Sequence, residues 1–162
     1  IIPAAGAAGS QLYKASVVRN GNIIETTILM DLDDLTSGGA ALDIIGLNAQ
    51  ANCHIGQITA AVNGTIFSGS MQCLETPAGG EPDIDLYSAS VATGAEDALI
   101  ASLSGTELLG AGADWTSALA PKQLAVLPAA DQYLYLVGGA GAFTDVVYSA
   151  GKFVIKFYGY PA

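Results

Sequence analysis

Hydrophobic and polar positions alternate most clearly at the end of the chain. In "AGKFVIKFYGY", Phe153, Ile155 and Phe157 share one side, and Lys152, Val154, Lys156 and Tyr158 share the other. A period of two is that of a β-strand with one buried face. The first set is therefore expected in the core, and the second faces solvent or a partner. Upstream, "DQYLYLVGG" sets Tyr133, Tyr135 and Val137 against Leu134 and Leu136. These two segments are expected to pair antiparallel. "DIDLYSAS" predicts a half-buried strand, with Ile84 and Leu86 on one side and Asp85 and Tyr87 on the other.

Turn chemistry supports the same class. Asn20-Gly21 lies between two β-branched runs, and Asn63-Gly64 stands in "HIGQITAAVNGTIFSGS". Asn-Gly tolerates the two positive φ angles of a type I′ turn, so both are read as hairpins. "TGAEDALIASL" departs from period two. Thr93 as N-cap with Glu96 three residues on has capping-box spacing, which predicts one short helix with Ala98, Leu99 and Leu103 facing inward. "GTELLGAGADWTSALAPKQLAVLP" reads as an irregular crossing with a short strand at Gln123–Leu127. The sum is an all-β, mainly antiparallel fold, a β-sandwich or jelly roll with one short helix, formed by a single domain over residues 1–162. Residues 1–11 read as an extended N-terminal arm.

Composition adds restrictions. The 162 residues are 51% hydrophobic and only 12% charged, yet no apolar run is long enough for a membrane-spanning helix. Net charge is −10, and Lys14, Arg19, Lys122, Lys152 and Lys156 are the only bases. Phosphate contacts need clustered Lys or Arg, so nucleic acid is not an expected partner, and with no spanning run a membrane is not expected either. "IIPAAGAAGSQ" lacks the basic and apolar regions of an intact secretory signal. With no initiator Met, the start is expected to be processed or to lie upstream.

Candidate chemistry is sparse. His54 is the only histidine. A hairpin turning at Asn63-Gly64 would put His54 opposite Cys73 and Cys53 opposite Leu74. Such a His–Cys pair lacks the further ligands of a metal site and the orienting group of a nucleophile, so a packed polar pair is the plainer reading. In that register Cys53 and Cys73 are on opposite faces. A disulfide would need a bulge, which Ser68–Ser70 could supply; otherwise both thiols are free. Asp31, Asp33 and Asp34 in "DLDDL", and Glu81, Asp83 and Asp85 in "EPDID", are the acidic clusters. Either could lend oxygens to calcium, but neither has the EF-hand pattern, and solvated strand-end turns account for both. Trp115 reads as a core or interface anchor. "VGGAGAF" lacks the Lys-Ser/Thr ending of a phosphate-binding loop. No catalytic, cofactor or metal residue is therefore assigned, and an enzyme is not expected.

The ending "YLYLVGGAGAFTDVVYSAGKFVIKFYGY" resembles the C-terminal signature of a group of bacteriophage virion proteins common in marine phages. "DLDDLTSGGAALDIIG", "HIGQITAAVNGTIFSGSMQCLETPAGG" and "PDIDLYSAS" resemble the same group, so the likeness runs from about Ile28 onward. It implies a structural particle component, a capsid decoration or cement protein on the head exterior, assembled in the host cytoplasm. Its expected partners are the major capsid protein or other virion proteins and copies of itself, with a trimer suited to a three-fold position. The alternative is a tail-fibre or receptor- and carbohydrate-binding β-sandwich. The outward face of the last strand, with Lys152, Lys156 and Tyr158, is either solvated or meets a neighbouring subunit.

Overall fold

Burial strictly alternates from Ala150 to Gly159, with Phe153, Ile155 and Phe157 fully buried. The computed structural model describes residues 2–7, 13–140 and 145–161. Its strands in chain order are β1 (Tyr13–Asn20), β2 (Ile23–Asp31), β3 (Thr36–Ser37), β4 (Gly56–Ile58), β5 (Thr65–Ala78), β6 (Ile84–Ala89), β7 (Thr106–Leu109), β8 (Lys122–Gln123), β9 (Gln132–Gly138), β10 (Val146–Val147) and β11 (Ala150–Tyr160). The one α-helix among the described residues, α1, spans Ala60–Asn63. All pairings are antiparallel. The fold is all-β and sandwich-like. One sheet has the order β1-β2-β11-β5-β8 and the other β4-β9-β6-β7, with β10 and β3 forming a small ribbon.

The main core lies between the two large sheets. Ile28 and Met30 of β2, Met71 of β5, and Phe153, Ile155 and Phe157 of β11 meet Ile84, Leu86, Leu134 and Leu136 of the second sheet. That sheet has a second apolar face. Tyr87, Ala89, Tyr135 and Val137 pack with Ile44, Cys53 and Ile100 from covering loops. The expectation of a half-buried strand at "DIDLYSAS" therefore fails, because β6 is buried along its whole length. The loop layer covers the face that alternation assigned to solvent.

β9 and β11 do not pair, contrary to expectation. β9 lies between β4 and β6, while β11 lies between β2 and β5. Their inward residues meet across the core instead. Alternation identifies which side of a strand is apolar, but a facing sheet and a neighbouring strand leave the same pattern.

The first hairpin forms one residue later than the type I′ reading requires. Asn20 pairs with Ile23, so Gly21 and Asn22 form the turn. Gly21 has φ +60° and Asn22 is not among the positive-φ residues. Glycine alone at positive φ in the first turn position is the type II′ pattern. At Asn63-Gly64 there is no hairpin. The Thr59 hydroxyl caps α1 by accepting from the Val62 amide, and Gly64 ends the helix at φ +70°. The buried Asn63 side chain accepts from the Thr59 amide and donates to the Thr26 hydroxyl, each at 2.8 Å. The chain thus passes from β4 in one sheet to β5 in the other.

The helix expected after Thr93 is also absent. Asp97 takes φ +61°, which interrupts a right-handed helix, and only a 3₁₀ turn forms at Ile100–Leu103. Glu96 accepts from the Ala49 amide at 2.9 Å rather than closing a capping box. Ala98 and Leu103 pack on the second cluster, whereas Leu99 is exposed. The strand expected at Gln123–Leu127 is shifted and short, as β8. Residues 2–7 lie against the 52–54 segment through Ala4 N–H to His54 and Gly6 N–H to Asn52; the rest of the expected N-terminal arm, and part of "VGGAGAF", lie outside the described residues.

Candidate functional site

His54 is not opposite Cys73. Cys73 pairs in register with Phe153 in the first sheet, and the register built on Asn63-Gly64 fails with its hairpin. The His54 ring instead packs at 4.8 Å on Tyr133 and 6.3 Å from Tyr135. Its buried Nδ1 has no hydrogen-bond partner among the described residues, and burial pushes its pKa down. His54 and Tyr133 line an open cleft of about 260 Å³ with Ile2, Gln57, Thr59 and Val62. Gln57 and Thr59 already serve the fold, donating to the Asp131 carbonyl and capping α1. Among the described residues, the cleft lining contains neither a carboxylate nor a thiol. It therefore offers an aromatic wall and a few polar atoms, without a nucleophile–base pair.

Cys53 and Cys73 are both free and buried, in separate clusters. The Cys53 thiol donates to the Gln50 carbonyl and Cys73 to that of Glu75. Burial pushes Cys53 up to about 11 and raises Cys73 as well, so both are thiols at neutral pH and poor nucleophiles. Labelling of the denatured, unreduced protein should count two thiols; a count of zero would contradict this placement.

The acidic clusters are absorbed by turns. Asp31 accepts from the Asp33 amide and pairs with Lys152 at 3.2 Å. Asp34 takes φ +71° in the same turn. Glu81 accepts from the Asp83 amide, and Asp85 is buried and accepts from the Ala111 amide at 2.5 Å. No three His, Cys, Asp or Glu side chains among the described residues come together as a metal-holding group. Trp115 is a core anchor, fully buried, with its indole N–H on the Ile84 carbonyl.

These placements predict a pH dependence. Burial, as the largest cause, raises the pKa of Asp43, Glu81, Asp85 and Glu96. A carboxyl with a raised folded pKa holds its proton more tightly in the native state. The folded protein therefore loses stability as pH rises through that window, and regains it on acidification toward the ordinary carboxylate range. Glu25, lowered by its hydrogen bond to Lys156, and His54, lowered by burial, act in the opposite sense. Acidification also relieves self-repulsion at net charge −10, in the same direction as the four raised carboxyls. Melting temperature should be higher at about pH 5 than at pH 7; a steady fall over that interval would contradict the assignment.

The remaining organised surface is the outward face of the five-stranded sheet. Lys152 stands across from Asp31 on β2 and Glu75 on β5 and pairs with both. Lys156 reaches Glu25 at 2.7 Å. Leu29, Val154 and Gln72 form one cross-strand row, and Val18, Glu25, Tyr158 and Ser68 another. At one end Phe67 stacks on Tyr160, with ring centroids 6.3 Å apart. Ile23 lies beside them, since its neighbour Ile24 pairs with Gly159. Val18, Ile23, Phe67 and Tyr160 are all exposed. Sequence reasoning found the face of β11 but missed the Phe67–Tyr160 stack, because the two neighbouring strands β5 and β11 lie far apart in sequence.

A scan against models of known protein families finds no match, and searches of curated proteins and of solved structures find none.

Proposed function

We propose that this chain is a structural component of a bacteriophage particle, a decoration or cement protein on the exterior of the head. The observation that carries the reading is the C-terminal likeness to marine phage virion proteins, together with where that stretch sits. It supplies β9 and β11, interior strands of both large sheets. A shared signature made of core strands fits a common scaffold better than a common active site. The thiols are buried and protonated, and no described residue brings a carboxylate or thiol into the cleft beside His54. The proposed partners are the major capsid protein and copies of the chain itself. Quantitative mass spectrometry of purified particles of the encoding phage tests the reading: a copy number in the hundreds supports a head protein.

The Tyr133–His54 cleft favours a second reading, a receptor- or carbohydrate-binding module at a fibre tip. Aromatic rings are the usual stacking surface for sugar rings. A glycan screen with wild-type protein and Tyr133→Ala tests it, and no binding by wild-type protein would remove it.

A further inference from the structure

Charge is divided between the layers of this molecule. All five basic residues lie on strands of the five-stranded sheet: Lys14 and Arg19 on β1, Lys122 on β8, and Lys152 and Lys156 on β11. Only three of the fifteen acids, Glu25, Asp31 and Glu75, are on that sheet, which leaves twelve on the other sheet and on loops. Lys122 turns away from the outward face, to the Ala111 carbonyl and over the Trp115 ring. Arg19 alternates with Val18 and belongs to the opposite side of β1. On the outward face, Lys14, Lys152 and Lys156 therefore balance Glu25, Asp31 and Glu75. A protein of net charge −10 has one sheet face with no net charge, and that face ends in Val18, Ile23, Phe67 and Tyr160.

We infer that this face is an interface between two copies of the chain, packed sheet to sheet about a two-fold axis. Two strongly acidic molecules repel across most approaches. Contact through the neutral faces removes like charge from the interface and holds the acid-rich halves as far apart as the molecule allows. An isologous contact also brings the same apolar patch from both copies into one interface. Sheets pack face to face with their strands nearly aligned, and a face whose uncharged polar positions Ser16, Thr27, Ser68 and Ser70 are small is suited to that approach. A basic partner would be drawn to the other layers instead. The inference rests on the self-association in the proposed function and is independent of the particle.

Sedimentation equilibrium of the purified chain tests it without any particle, so its failure leaves particle binding unaffected. Raising ionic strength from about 0.01 M to about 1 M shortens the Debye length from about 30 Å to about 3 Å. A dimer is expected, and it should tighten with salt, because screening relieves repulsion between the acid-rich halves while the interface has no net charge to lose. Phe67→Glu and Val18→Glu should each weaken the dimer roughly tenfold or more while leaving the far-ultraviolet circular dichroism of the native chain unchanged. Val91→Glu, at an exposed site on the loop layer, should leave it unchanged. A monomer at every salt concentration, a trimer, association that weakens with salt, or equal sensitivity to Val91→Glu would overturn the inference.

Discussion

Replacing Trp115 with Ala should cost about 3–5 kcal/mol of folding stability, the largest loss expected from any single side chain here. The indole is fully buried in the main core and meets Phe153 edge-on, with centroids 5.6 Å apart at 85°. Its N–H donates to the Ile84 carbonyl at 2.7 Å, and the Lys122 ammonium lies 4.6 Å from the ring centre. Truncation removes the packing and the donor together. For a domain of this size the melting temperature should fall by roughly 6–20 °C. Trp115→Phe separates the two contributions, since it keeps much of the ring volume but leaves the Ile84 carbonyl unpaired, at about 1–3 kcal/mol. Urea unfolding followed by far-ultraviolet circular dichroism measures both variants, because the chain has no second Trp to report by fluorescence. A loss below about 1 kcal/mol for Trp115→Ala would mean that the indole is not packed in the core.

Gly64→Ala should be nearly as damaging. Gly64 has φ +70° and ψ −161°, a region populated essentially by glycine alone. A Cβ there would stand 2.2 Å from the Tyr160 carbonyl oxygen. The substitution therefore combines backbone strain with a clash against the end of β11, for about 3 kcal/mol or more. Gly21→Ala is the matched comparison. Gly21 also has positive φ, at +60°, but nothing lies within 4 Å of its added Cβ, so only the conformational cost of about 1 kcal/mol applies. Equal losses in thermal melts of the two variants would contradict the distinction between an open turn and a packed helix end.

The contrast between these glycines shows how much the sequence conveys. Both follow asparagine, and the dipeptide alone predicts two hairpins. What separates them is Thr59 capping a helical turn, and Asn63 bonded to Thr26, 37 residues away in sequence. Local chemistry is legible, but the tertiary partner that selects between two uses of the same residues is not. Period two was sufficient to assign the inward residues of β11, because its outward face is ion-paired and half-exposed. It failed for β6, where loops bury the second face. Glu96 had the spacing of a capping box, but its carboxylate bonds to Ala49 in the loop layer. The candidate surfaces were hidden for the same reason. His54 meets Tyr133 across 79 positions of sequence, and Lys14 and Lys156 come from opposite ends of the chain. Only the strand order β1-β2-β11-β5-β8 reveals that the bases share one sheet.

The most direct test of the particle reading is the number of copies in the virion. Particles of the encoding phage, purified on a density gradient, can be digested and quantified against the major capsid protein. The account predicts this chain in a fixed stoichiometric ratio to that protein, at hundreds of copies per particle. Its absence from purified particles would contradict a structural role in the virion, and a few copies per particle would contradict a head decoration protein and favour the fibre tip.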